Sequence, residues 1–154
     1  MNLYANAGPQ VEKSLTTAAL VMVNAAIVFT IANGAIVIVD LLSECITAND
    51  ATASTMQWNS VPTVGSAATI SGATTTLASI AAGATIRAAS GVLATAPTIA
   101  LAAAGGVQAG QGTTTGITVQ PGTLKLVIAI GSTTGTWKHS LRYKPLNPSV
   151  IVTG

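Results

Sequence analysis

Charged side chains are scarce in this sequence of 154 residues, which contains only ten Asp, Glu, Lys and Arg residues. An ordinary soluble domain carries roughly 25% charged residues, and this charge keeps it soluble and apart from its neighbours. The scarcity argues against a monomer with a charged coat and favours a subunit whose faces are covered by copies of itself or by a partner. A monomer coated with Thr, Ser and Asn is the alternative, because uncharged polar surface also stays in water.

Reactive side chains are equally few, since the chain has one cysteine, Cys45, one histidine, His139, and four acids. A single cysteine excludes an intramolecular disulfide, and one Cys with one His excludes a structural zinc site within one subunit. A nucleophilic triad would have to use His139. That residue shares a strand face with Trp137 and Leu141, which is typical of a packed, hydrogen-bonded core or interface histidine. We therefore predict no catalytic, cofactor-binding or metal-binding residues and no enzymatic activity.

The residues that are abundant suit strands. Val, Ile and Thr supply 50 residues and Ala and Gly another 43, whereas the residues that fill exposed helix faces are rare. β-branched side chains fit a pleated surface better than a helix. We therefore predict one all-β domain, an antiparallel β-sandwich or jelly roll with Ala/Gly/Thr-rich loops.

The stretch "FTIANGAIVIV", residues 29–39, lies in the segment between Lys13 and Asp40, which carries no charge. That segment is long enough to span a membrane as a helix. Asn33-Gly34 interrupts it, and Asn-Gly between two β-branched runs is a strong signal for a two-residue hairpin turn. We therefore predict a hairpin and no membrane association. The predicted cross-strand neighbours are Ile31 with Ile36, Phe29 with Ile38, and Val28 with Val39.

Further strands are predicted along the rest of the chain. Residues 1–14 are interpreted as an extended N-terminal arm and residues 15–154 as the sandwich domain, because Gly8-Pro9 breaks regular structure. Strands are predicted over residues 41–47, over 52–61 before Pro62, and over short segments at 67–70, 84–88, 98–102 and 150–152. A helix over residues 75–82 stays open, since Ala is the best helix former. The glycine-rich segment "GGVQAGQGTTTG", residues 105–116, lacks the Lys of a phosphate loop and is interpreted as a connection.

Residues 124–130 and 137–144 both alternate with a period of two around the turn 131–135, which predicts a second hairpin with one apolar, aromatic face and one basic face. Phosphates could contact the basic side chains, but the rings fall on the opposite face, so no specific nucleic-acid binding is expected. A solvated face or a contact with an acidic protein partner is favoured. This possible partner-contact face consists of Lys125, Lys138, Arg142 and Lys144.

The two parts of the chain also differ in charge. Residues 1–50 carry a net charge of −3 and residues 51–154 carry +5. Between subunits of an assembly, an acidic edge could meet a basic one and fix their register. Alternatively, both regions are solvated.

Two segments, "IVFTIANGAIVIVDLLSECITAND" and "GTLKLVIAIGSTTGTWKHSLRYKPL", carry a family resemblance. The chain resembles small all-β structural proteins of tailed-bacteriophage virions, of the capsid decoration (cement) type. The first segment is similar in its strand, Gly-containing turn and strand ending in an acid, here Glu44. The second is similar in the strand "PGTLKL" that leads to an aromatic strand ending in "LRYKPL". The resemblance covers about a third of the chain and transfers no functional residues.

The resemblance implies a non-enzymatic subunit on the capsid surface of a virion, assembled in the host cytoplasm. Its expected partners are the major capsid protein or other virion proteins, and it is expected to form a homo-oligomer. A tail, baseplate or head-fibre component is the alternative within the structural proteins. A carbohydrate- or host-surface-binding module is another, and would require Trp58, Trp137 and Tyr143 to be exposed.

Overall fold

Twelve β-strands make up the regular structure of the described residues. This computed structural model describes residues 11–88 and 116–154 and the backbone of residues 98–100. Within these residues no helix occurs, and therefore none that is long and apolar enough to cross a membrane. The strands are β1 (Lys13–Thr16), β2 (Leu20–Val21), β3 (Ile27–Ala32), β4 (Ile36–Thr47), β5 (Thr55–Pro62), β6 (Ala68–Thr69), β7 (Thr85–Arg87), β8 (Thr98–Ala100), β9 (Ile117–Val119), β10 (Gly122–Ala129), β11 (Thr136–Pro145) and β12 (Ile151–Thr153).

The strands form two antiparallel sheets. Sheet A has the order β1–β11–β4–β7–β8, with β2 also paired to β11 and β9 to β4. Sheet B has the order β12–β3–β10–β5–β6. Inward-facing residues of both sheets belong to one apolar core, for example Trp58 and Leu124 from sheet B and Trp137 and Leu141 from sheet A. The prediction of an all-β antiparallel sandwich is confirmed.

The core is filled by large side chains that are almost fully removed from solvent. Fully burying a Leu, Ile, Phe or Met side chain stabilises the fold by about 1.5–3 kcal/mol relative to leaving it exposed. The largest buried side chains are Trp58, Trp137, Phe29, Ile36, Leu41, Met56, Leu77, Ile86, Leu124, Leu126, Leu141 and His139.

The first predicted hairpin is wrong in its pairing. Asn33 and Gly34 do form the turn with positive φ angles of 63° and 149°. However, β3 pairs with β10 and β12 in sheet B, whereas β4 pairs with β11, β7 and β9 in sheet A. The apolar sides of β3 and β4 therefore do not form the predicted cross-strand pairs but face the core from opposite sheets. The turn is an inter-sheet corner, and Asn147 Nδ2 and Ser149 Oγ each donate a hydrogen bond of 3.2 Å to the Asn33 carbonyl oxygen.

The second predicted hairpin is wrong for the same reason. Strand β10 lies between β3 and β5 in sheet B, and β11 lies between β1 and β4 in sheet A. Residues 130–135 thus cross from one sheet to the other. The alternation of apolar residues in both strands is as predicted, but the apolar sides of β10 and β11 face the core from opposite sheets. As a result Lys125 is separated from the cations of β11.

Strand β4 changes its inward-facing phase partway along its twelve residues. Ile36 and Ile38 are buried, and then Leu41, Ser43 and Cys45. Arg142 is opposite Asp40 and Tyr143 is opposite Ile38, so the register skips Val39. A bulge of this kind inserts one extra residue and re-aims the side chains that follow. It lets both apolar sets of β4 face the same core.

The short strands of the small-residue region lie close to their predicted positions. Strands β6, β7 and β8 fall at the segments predicted around residues 67–70, 84–88 and 98–102, although residues 101–102 lie outside the described part. Residues 75–82 form irregular structure with short turns, so the open helix alternative is not adopted. Residues 1–10 of the predicted arm and residues 105–115 of the glycine-rich segment lie outside the described residues. Lys13 and Ser14 of the predicted arm belong to β1, which pairs with β11.

Candidate interaction face

His139 is a core residue, which confirms its interpretation as a packed and hydrogen-bonded histidine. Its side chain has no exposed surface. The distance between its Nδ1 and Ser43 Oγ is 2.8 Å, and its ring stands edge-on to Trp58 from the opposite sheet. Burial lowers the pKa of His139 to about 4, so the imidazole is neutral at physiological pH. A substrate outside the core cannot reach it.

Two nitrogen atoms in the core are buried without a hydrogen-bond partner in the described part of the molecule. They are Trp58 Nε1 and His139 Nε2. Buried polar atoms are normally paired, and each unpaired one costs about 1–3 kcal/mol. The other indole, of Trp137, instead donates to Asn49 Oδ1 at 3.1 Å.

Cys45 is a buried free thiol, as the alternation of its strand predicts. Its sulfur lies 3.2 Å from the Thr47 carbonyl oxygen. Burial raises the pKa of the Cys45 thiol, so the thiolate form is disfavoured. The described residues bring together no cluster of three His, Cys, Asp or Glu side chains that could hold a metal ion.

A groove of about 210 Å³ opens between sheet B and β9. Its walls include Ser60, Pro62, Thr69, Thr118 and Gln120, and none of the side chains that line it is titratable. Acid–base or nucleophilic chemistry needs convergent titratable groups, so this groove has no catalytic constellation.

Most of the chain's charge lies on the outer surface of sheet A. All ten charged residues fall in the described residues, and eight of them belong to strands of sheet A or lie next to β1. Arg142 Nε donates to Glu12 Oε1 at 2.7 Å, and Arg87 Nε lies 3.1 Å from Asp40 Oδ1. Acidic residues from the first 50 positions thus pair with basic residues from later in the chain, within one subunit. They meet because β11 lies between β1 and β4, and β7 lies on the other side of β4.

The predicted basic face does not form one surface. Lys138, Arg142 and Lys144 project outward from β11 and are exposed. Arg142 is paired with Glu12, and Lys138 is directly opposite Glu44 in the register of β11 and β4. Lys125 lies on sheet B, so the four cations are divided between two faces of the sandwich.

The remaining acid, Asp50, holds two loops together at one end of the sandwich. Asp50 Oδ2 accepts hydrogen bonds from the Thr133 backbone N–H at 2.9 Å and the Thr133 hydroxyl at 2.6 Å. Asp50 Oδ1 accepts one from the Thr52 N–H at 2.9 Å. These hydrogen bonds hold the pKa of Asp50 well below its usual range. The Asp50 carboxylate therefore connects the loop after β4 to the loop between β10 and β11 within one subunit.

The outer surface of sheet B, in contrast, carries a single charged side chain, Lys125. Sequence alternation places the buried residues of β5 and β10 inward and leaves outward residues that are uncharged except for Lys125. We call this surface the sheet-B face. Its outward residues are Thr55, Gln57, Asn59 and Val61 of β5, Thr123, Lys125, Val127 and Ala129 of β10, Ile27 and Thr30 of β3, and Ile151 and Thr153 of β12.

The sheet-B face was not predicted as a surface, although its signal is present in the sequence. The same alternation that predicts strands at residues 52–61 and 124–130 also places their outward residues, which are uncharged except for Lys125, on one side of each strand. What the sequence does not reveal is that these two strands are neighbours. Val127 is opposite Gln57, and Ala129 is opposite Thr55, so the pairing of β5 with β10 unites both sets.

The fold and its faces define a class of protein: an antiparallel β-sandwich with one charged and one nearly uncharged outer surface. The chain matches no protein-family model, no curated protein sequence and no solved structure.

Proposed function

We propose that this protein is a non-enzymatic structural subunit of a virion that decorates a phage capsid and reinforces it by bridging neighbouring coat proteins. The observation that carries the proposal is the sheet-B face, a surface of five paired strands with one charged side chain. A nearly uncharged surface of this kind suits a contact with another protein better than permanent exposure to water. The resemblance of the two terminal segments to decoration proteins points to the same role.

Decoration also fits a subunit whose individual contacts are modest. A capsid lattice holds binding sites at fixed spacing, and many small interfaces then act together. Contacts between copies of this chain would add to the same effect, so we expect a homo-oligomer on the particle.

The experiment is a measurement of copy number on purified particles. Particles are isolated by gradient centrifugation, washed at high salt and analysed by quantitative mass spectrometry against the major coat protein. Hundreds of copies per particle are expected for a decoration subunit. Copies in the tens or fewer would favour a tail, baseplate or head-fibre component, and absence from washed particles would overturn the proposal.

Carbohydrate binding is less well supported by the structure. Such sites use exposed aromatic rings, but Trp58, Trp137 and Tyr143 are all buried. Phe29, the other aromatic residue of the described part, is buried as well. A glycan array gives the corresponding measurement, and we expect no binding.

A further inference from the structure

We propose that the sheet-B face is the surface that meets the coat protein, and that the coat protein places a carboxylate against Lys125 within an otherwise uncharged contact. This inference rests on the proposed function and adds to it the docking surface and the chemistry of the partner.

Lys125 lies at the middle of the sheet-B face. Its strand, β10, has two strands on either side, and Lys125 lies within the run of β10 from Gly122 to Ala129. A row of outward residues passes through it: Ile27 on β3 is opposite Lys125, and so is Asn59 on β5, followed by Thr69 on β6. Ile27 is 56% exposed and supplies an apolar side chain beside Lys125. The centre of the face therefore combines an exposed apolar side chain with one cation.

The chain has no acid of its own for Lys125. Its four acidic side chains are Glu12, Asp40, Glu44 and Asp50, and all of them lie on or next to sheet A or in the loop that follows β4. Glu12, Asp40 and Asp50 already bind groups of the same subunit. Lys125 is a half-buried residue, and an ammonium group that loses its water in an interface needs a counter-charge, because desolvation of an unpaired ion is costly. The partner has to supply it.

Charge also argues against a second copy of this chain on the same face. A two-fold dimer brings the same patch of both subunits together. Because Lys125 is central in the patch, a face-to-face dimer centred on it would bring two ammonium groups close to the axis, and like charges brought together in an interface repel each other. A different protein with an acidic residue at this point removes the conflict.

The test compares two charge reversals on opposite faces of the sandwich. Phage particles assembled without this subunit serve as the binding probe, and binding is measured by co-sedimentation with purified wild-type, Lys125→Glu and Lys144→Glu protein. Lys144 is an exposed lysine on sheet A, opposite Val37, and serves as the matched control. We expect Lys125→Glu to weaken binding by about a hundredfold and Lys144→Glu to change it less than threefold. Ile27→Asp, at the apolar neighbour, is expected to weaken binding as well.

The outcomes separate this inference from the proposed function. If wild-type protein does not bind the particles, the proposed function fails, and the inference with it. If wild-type and Lys125→Glu protein bind equally, or if Lys144→Glu is the variant that loses binding, the docking face is wrong while decoration stands. Light scattering on the free variants tests for a second copy, because a change of oligomeric state on Lys125→Glu would overturn the choice of partner. Urea unfolding midpoints equal to wild type establish that the variants are folded.

Discussion

His139 and Trp58 meet edge-on at the centre of the sandwich, with their ring centroids 5.2 Å apart and their planes at 88°. Trp58 comes from sheet B and His139 from sheet A, so this contact joins the two layers. Phe29 stacks on Trp58 with a centroid distance of 6.3 Å. An imidazole in such a place is tolerated as long as it stays neutral, because an isolated buried charge is very costly.

The stability of the protein should therefore fall on mild acidification. The pKa of His139 is about 4 in the folded chain and 6.5 ordinarily. Between these values the unfolded chain binds more protons than the folded one, so stability that is fully present above pH 6.5 is lost as pH falls towards 4. A shift of this size corresponds to a loss of about 2–3 kcal/mol by pH 4.5. Urea unfolding between pH 8 and pH 4.5 measures it.

His139→Gln is the control for this prediction, since a glutamine has no charge to gain. His139 is the only histidine of the chain, so the variant should show an almost flat stability between pH 8 and pH 5, at a lower overall level. A wild-type protein whose unfolding midpoint stays constant across this range would contradict the assignment of His139 as a neutral core residue.

Ser43 should be needed to satisfy His139. Ser43→Ala removes the hydroxyl that lies 2.8 Å from Nδ1 and leaves a second ring nitrogen unpaired in the core. We expect a cost of about 1–3 kcal/mol in the free energy of unfolding. Ser140→Ala is the matched variant, because it removes an exposed 2.9 Å hydrogen bond with Thr16 and should cost less than about 0.5 kcal/mol. Equal costs for the two variants would show that the Ser43 contact contributes no more than a surface hydrogen bond.

Much of the fold follows from local sequence signals. The strand segments, the burial of Trp58, Trp137 and His139, and the positive φ angles at Asn33 and Gly34 are as the sequence predicts. These properties depend on alternation and turn chemistry, which act over a few residues. These properties can therefore be predicted without knowing which strands are neighbours.

The pairing of the strands could not be derived in the same way. An Asn-Gly turn between two apolar strands suits a hairpin within one sheet and also a corner between two sheets, because both bury the same side chains. The choice is made by distant segments: β3 pairs with β10, and β4 pairs with β11. The bulge at Val39 could not be predicted from the sequence either, because a bulge is defined by the register with the partner strand. The sheet-B face depends on these pairings, so it became visible only with the structure.

Asp50 should stabilise the loop end of the sandwich in a pH-dependent way. Asp50→Asn replaces one accepting oxygen with an NH₂ donor, which conflicts with the N–H of Thr52 or the N–H and O–H of Thr133. Hydrogen bonds lower the pKa of Asp50. The stabilisation is therefore present at neutral pH and lost as pH falls below the ordinary value of 3.8. Thermal unfolding at pH 7 should show a lower Tm for the variant, and a smaller difference from wild type in strong acid.

Glu44→Gln is the comparison for Asp50→Asn. Glu44 is an exposed carboxylate on the outer surface of sheet A, and its neutralisation should leave Tm close to the wild-type value at neutral pH. A similar loss of Tm in both variants would mean that the effect comes from net charge and not from the hydrogen bonds by which Asp50 holds the two loops together.

The corner between β3 and β4 should be intolerant of a side chain at Gly34. An added Cβ there collides with the side chains of Asn147 and Val150, and the φ of +149° is itself unfavourable for other residues. Gly65 separates the two effects, because it has a φ of +108° but its Cβ would meet only Pro62 Cγ, at 3.9 Å. We expect Gly65→Ala to cost about 1 kcal/mol through backbone strain, and Gly34→Ala to cost about 1–3 kcal/mol more through the collision. Urea unfolding of both variants measures the difference. Equal costs for Gly34→Ala and Gly65→Ala would mean that the Asn147 side chain moves aside freely. In that case the hydrogen bond from Asn147 to Asn33 would not stabilise the corner between the two sheets.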